Sequence, residues 1–138
     1  MYTDIFSAFL ASDDTLRMYQ DETLIFSSQK NHLLPLIEYI ADYSAGQQPV
    51  TLFDKIMGNA AALLAVKATC REVYSPLGSE LAIKTLEKYG IEYHLSEIVP
   101  YIQRPDGKGM CPMEKLSIGK KPEEFYQEIK ARVEANKQ

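Results

Sequence analysis

The chain has 138 residues, 46% of them hydrophobic and 25% charged, a length that suits one domain over residues 1–138 with its own core. Its net charge of −4, with basic residues scattered apart from Lys120-Lys121 and the C-terminal segment, argues against a nucleic-acid surface, which rests on clustered Lys and Arg. No apolar run approaches the roughly 20 residues that cross a bilayer, so no membrane partner is expected.

Residues 2–12 space Ile5, Phe6, Phe9 and Leu10 as one face of an amphipathic helix. The same segment lacks a basic stretch and carries Asp4 in its apolar part, which makes it a poor signal peptide. TLRMYQDETLIFSSQ reads as a hairpin about Asp21-Glu22: Leu16, Met18 and Gln20 alternate with Arg17 and Tyr19, and Leu24-Ile25-Phe26 forms a second strand. In LLPLIEYIADYSAGQQ, Leu33, Leu36, Ile37, Ile40 and Ala41 share a helical face, with Pro35 in the first turn and a stop near Gly46. VTLFDKI is a third strand. Gly58 and Asn59 separate it from an alanine-rich helix over 60–69, apolar on nearly every side and so expected to be packed over most of its surface.

A fourth strand is expected over Glu72–Ser75, then a turn at Pro76-Leu77-Gly78. Ser79 is a suitable N-cap for the helix SELAIKTLEKYG, which stops at Gly90. IEYHLSEIV alternates as a fifth strand, YIQRPDGKGMCPMEKLS reads as a loop, and Pro122 opens a closing helix over 122–137. The order α-β-β-α-β-α-β-α-β-α implies an α/β fold: a three-layer α-β-α sandwich around a five-stranded mixed sheet, with parallel crossovers joining strands 3, 4 and 5.

In such a sheet a ligand sits beyond the carboxyl ends of the strands, where helix N-termini gather. Two junctions meet that condition. The first carries Asp54, Lys55, Gly58 and Asn59, and the second carries Ser75, Gly78, Ser79 and Glu80. Free N–H groups and the partial positive charge of a helix start suit phosphate or carboxylate, and glycine lets backbone approach a ligand. The competing reading makes Ser79 a cap, Gly58 a turn residue and Asp54-Lys55 a solvated pair. RPDGKGMCPMEK adds Cys111 and Glu114 on a loop able to fold over the pocket. The two cysteines, Cys70 and Cys111, form no C-x-x-C and no disulfide framework, so a reducing cytoplasm is the default setting. His32 and His94 read as polar positions on a helix start and a strand, and helix 122–137 as a solvated face with pairs such as Glu128–Arg132.

The stretch D-K-I-M-G-N-A-A-A at 54–62, the Ser-Glu helix start and C-P-M-E at 111–114 resemble a prokaryotic family catalogued as domain of unknown function 1893 and assigned to the cytidine deaminase-like superfamily. The resemblance covers nearly the whole chain. Members often carry lysine after the glycine, whereas this chain has Asn59, which weakens any anion-holding role there. The superfamily implies zinc held by H-x-E or C-x-E on one helix start and P-C-x-x-C on the next, with glutamate shuttling protons. The corresponding segments here read GNAAA and PLGSE, and neither histidine has a glutamate two positions on, so three zinc ligands are not found.

The expectation is therefore a deaminase-like protein with no metal or other cofactor, binding a nucleotide-like or other small anionic metabolite at paired helix N-termini. Lys55 would neutralise the ligand, Gly58, Asn59, Ser75, Gly78 and Ser79 would hold it, and Asp54 or Glu80 would orient it or carry a proton. One alternative is a group-transfer enzyme using Cys111 as nucleophile, activated by Lys108 or Lys115, with Glu114 beside it. The other is a non-catalytic interaction module, in which the apolar first helix equally suits a homodimer surface.

Overall fold

The computed structural model describes residues 2–43 and 49–136. Among the described residues eleven elements follow in chain order: α1 (Thr3–Ala11), β1 (Leu16–Gln20), β2 (Thr23–Ser28), α2 (Leu34–Tyr43), β3 (Val50–Asp54), α3 (Asn59–Lys67), β4 (Cys70–Ser79), α4 (Glu80–Lys88), β5 (Glu92–Val99), α5 (Pro112–Ser117) and α6 (Pro122–Asn136). The strands form one sheet in the order β2-β1-β3-β4-β5. β1 is antiparallel to both β2 and β3, whereas β3, β4 and β5 run parallel, so the sheet is mixed as expected. No helix of the described residues is long and apolar enough to cross a membrane. The expected stop at Gly46 lies outside the described residues.

Strand alternation sorts the core onto two faces. Leu16, Met18, Val50, Leu52 and Val73 meet α2, α3, α4 and α6 on one side. Tyr19 and Phe53 meet Tyr2 and Phe9 of the α1 segment on the other, with Ile5, Phe6 and Tyr74 packed against them. The apolar face of α1 thus covers its own sheet. α3 is the hub of the helical face, touching α2, α4, α5 and α6. Its residues Asn59 to Ala65 are all buried. Alanine on most sides is what allows four neighbours to come close to one helix.

Two expectations are corrected. Pro76-Leu77-Gly78 is not a turn: β4 runs through it to Ser79, with Leu77, Gly78 and Ser79 paired to Glu97, Ile98 and Val99 of β5. Ser75 makes this continuity possible, its hydroxyl donating to the Leu77 carbonyl at 2.9 Å and accepting from the Leu77 N–H at 3.3 Å around the donorless Pro76. Gly78 is required by packing, because a Cβ there would run into the Leu95 side chain. The second correction is α5, a short helix inside the stretch read as a loop. Pro112 stands in its first turn, the position proline favours.

Gly78→Ala should therefore overpack the β4–β5 contact and lower stability by about 1–3 kcal/mol. Urea unfolding followed by circular dichroism measures this. An unchanged midpoint would show that Leu95 moves aside freely.

Candidate functional site

The two junctions singled out in the sequence lie side by side. Met57 forms a parallel bridge to Gly78: its N–H donates to the Leu77 carbonyl at 2.8 Å, and its carbonyl accepts from the Ser79 N–H at 3.1 Å. α3 and α4 consequently start next to each other and pack along their length.

The N-terminus of α3 is occupied from within the chain. Gly58 is its N-cap residue and has no side chain to satisfy the free N–H groups. Glu114 of α5 supplies the acceptor instead: one carboxylate oxygen accepts from the Asn59 N–H at 2.5 Å and the other from the Ile102 N–H at 2.8 Å. Glu114 is only 2% exposed. A buried carboxylate is tolerable here because two N–H groups and the positive end of the helix dipole face it. Gly58 makes the approach possible, since a Cβ at that position would lie 3.0 Å from Glu114 Oε1 and from Ile102 Cγ1.

Asn59 ties the same corner together. Its side-chain amide donates to Ser117 Oγ at 2.9 Å and to the Ser117 carbonyl at 3.3 Å, while its oxygen accepts from the Thr85 hydroxyl. Ser117 Oγ in turn donates to the Glu114 carbonyl at 2.6 Å. α3, α4 and α5 therefore meet in one buried polar network. A half-broken network of this kind costs more than its separate bonds suggest.

Other sequence candidates take different places. Lys55 leaves the strand on the α1 side, its Nζ donating to the Ser12 carbonyl at 3.0 Å and lying 4.8 Å from the Phe9 ring centre. It closes the C-terminal end of α1 and does not face Glu114. Lys55 lies one residue past the end of β3, and its side chain and that of Asp54 make separate contacts. Ser79 caps α4 by accepting from the Ala82 N–H at 3.1 Å, which is the capping role weighed in the sequence. Glu80 is exposed, and Ser75 and Gly78 are enclosed within β4 by the contacts already described. Cys111 is the N-cap residue of α5, half-buried, its N–H donating to the Ile102 carbonyl at 2.8 Å.

Asp54 keeps partial exposure, and its carboxylate accepts from the Ile56 N–H at 3.5 Å. Burial pushes its carboxyl up to about 7 from an ordinary 3.8, against the opposing pull of the backbone bonds from Ile56 and Lys55. The folded protein then holds a proton that the unfolded chain gives up, so this group costs stability as pH rises between about 4 and 7. Asp54→Asn should flatten that fall and raise stability at about pH 8 by on the order of 2 kcal/mol, discounted for its exposure. Urea titrations at several pH values test this. A variant that follows the wild-type slope would exclude Asp54 as its source.

A second group, missed in the sequence, stands on the opposite face. Register aligns Thr51, Glu72 and Glu92 in one row across β3, β4 and β5, and Phe53, Tyr74 and His94 in the next. Glu72 is buried, and its Oε2 lies 2.7 Å from His94 Nε2 and 3.2 Å from the Tyr74 hydroxyl. Glu92 Oε2 lies 3.4 Å from the same histidine nitrogen. The Tyr74 and His94 rings stack at 4.2 Å between centres, and Phe53 stacks on the other side of Tyr74 at 4.9 Å. Glu92 is held below the usual carboxylate range by its side-chain contact with Glu72 and then by His94. Tyr74 is pushed up to about 12, chiefly by burial and then by the charge of Glu72, so it stays a neutral phenol. A pocket of about 350 Å³, lined by Tyr2, Asp21, Arg71, Glu72 and Tyr74, opens on Glu72. The pattern R-E-V-Y on one strand and I-E-Y-H on the next, Glu followed two residues later by an aromatic ring, is the sequence signal that marks this face.

Fold and junctions together define an α/β protein with an open five-stranded mixed sheet whose parallel half carries two adjoining helix starts. The sequence pattern described as TM1506, domain of unknown function DUF1893, matches residues 6–133, and the chain belongs to that family. The crystal structure of a DUF1893 family protein (TM1506) from Thermotoga maritima is similar over 94% of this chain and 87% of that one, with 28% identity and a TM-score of 0.83. No curated protein matches the chain.

Proposed function

We propose that this protein binds a small anionic metabolite, nucleotide-like phosphates included, at the paired starts of α3 and α4. On this reading the chain is built like the cytidine deaminase-like proteins but does not use zinc at the helix starts that carry it there. Support for the architecture comes from the element order and the adjoining helix starts. Support against hydrolytic deamination at this position comes from the donor set, since 58–62 and 76–80 offer neither His nor Cys.

The observation that carries the reading is the Glu114 carboxylate on the Asn59 and Ile102 N–H groups. A seat that holds a buried carboxylate has the donors, the size and the field for a ligand carboxylate or phosphate oxygen. Glu114 is then the resident occupant that an incoming anion displaces. Tethering gives a group an effective concentration in the millimolar range or above, so a successful ligand must add contacts of its own beyond the anion.

The test vacates the seat. Glu114→Ala should lose about 2–3 kcal/mol of stability, and formate, phosphate or a nucleoside monophosphate should return part of it as a rise in melting temperature. Wild type should show a smaller rise, and Lys55→Ala in the Glu114→Ala background should leave the rescue intact. A Glu114→Ala protein whose melting temperature rises no more in phosphate than in chloride of matched ionic strength would contradict the proposal.

A further inference from the structure

We propose that Glu72, Glu92 and His94 form a site for one divalent transition-metal ion, zinc by the chemistry of its donors, on the sheet face opposite Glu114. This site shares no residue with the anion seat, so either stands if the other falls.

Three observations carry it. First, the donors come from two neighbouring parallel strands at registered positions: Glu72 pairs with Glu92, and His94 lies two residues on, on the same face. All three offer a ligand atom within 4.8 Å of the others, with His94 Nε2 at 2.7 Å from Glu72 and 3.4 Å from Glu92. Tetrahedral zinc with bonds of about 2.0–2.2 Å needs donor separations of roughly 3.3–3.6 Å; the Glu92–His94 distance is already in that range, and the Glu72–His94 contact has to open by somewhat under about 1 Å. Sheet pairing fixes the backbones and the Tyr74 ring stacked on His94 fixes the imidazole plane, so little ordering cost remains for binding.

Second, Glu72 is 8% exposed and pairs across the strands with Glu92, their carboxylate oxygens within 4.8 Å. When both are ionised, two carboxylates on neighbouring strands repel, and burial of one sharpens the cost. A dication between them removes both penalties. One imidazole and two carboxylates suit a borderline cation such as zinc better than calcium or magnesium, which prefer oxygen alone.

Third, the row continues to Thr51, next to Glu72 on the same face and fully buried. Its hydroxyl finds no hydrogen-bond partner among the described residues. Buried hydroxyls are almost always satisfied, and a metal ion on Glu72 brings polar atoms of its own, through bound water, to that part of the face. The pocket of about 350 Å³ lined by Arg71 and Glu72 leaves room for water beside the Glu72 carboxylate.

The experiment is titration calorimetry of chelator-treated full-length protein with zinc chloride, with bound metal counted after gel filtration. Wild type should bind one equivalent. Glu92→Gln and His94→Gln, both at exposed positions whose folding is verified by circular dichroism, should each weaken binding at least tenfold, as should Glu72→Gln. His32→Gln and Glu80→Gln should leave it unchanged. The proposal is overturned if wild type binds no stoichiometric zinc, if binding survives Glu92→Gln and His94→Gln, or if His32→Gln removes it equally.

Discussion

The carboxylate of Glu114 is the constraint on which the arrangement around α3 depends. α3 is the most enclosed helix, and its first turn lacks a capping side chain because Gly58 precedes it. Without an acceptor, that turn would bury unsatisfied N–H groups, each costing on the order of 1–3 kcal/mol. Glu114 answers this from 55 residues away, and in doing so holds α5 and the segment at Ile102 against the sheet end. Gly58 has to be glycine for the carboxylate to arrive, and Asn59 has to be polar because α4 and α5 both address it. One electrostatic contact thus explains why a glycine, an asparagine, a glutamate and a serine occupy an otherwise apolar junction.

The sheet separates two kinds of surface. On the α3 side apolar strand residues meet a helix layer, and polar chemistry is confined to the end where helices begin. On the α1 side Tyr2, Phe6 and Phe9 pack edge-on or tilted against Phe53 and Tyr74, and the Phe53–Tyr74 stack continues to His94. α1 covers the middle strands, and the polar row of Glu72 and Glu92 emerges where that cover stops. Rigid strands hold the row, whereas the opposite site is closed by a six-residue helix. The two candidate sites differ accordingly, one preformed and open, the other filled from within.

Much of the fold was legible because period decides it. Strand alternation in 16–28 and 91–99, the helical spacing of Leu36, Ile37 and Ile40, and alanine around α3 each admit one reading. Failures came where local chemistry serves a distant partner. Pro76-Leu77-Gly78 has turn composition, yet Gly78 is there for Leu95 and Ser75 bridges the proline. α5 is too short to show a period, and Pro112 was its only mark. Asp54 and Lys55 are adjacent in sequence, yet Lys55 stands just past β3 and is turned by the Ser12 carbonyl and the Phe9 ring, both more than 40 residues away. The partner of Asn59 and the alignment of Glu72 with His94 depend on long-range register, which a single sequence does not carry.

Amide hydrogen exchange, resolved by residue, tests the role of Glu114 most directly. In the wild-type protein the Asn59 and Ile102 N–H groups should exchange as slowly as amides in the middle of α3. In Glu114→Gln they should speed up by tenfold or more while α6 keeps its protection. Wild-type Asn59 and Ile102 amides that exchange at the rate of open loop would contradict the account, because the buried carboxylate would then not be holding that corner closed.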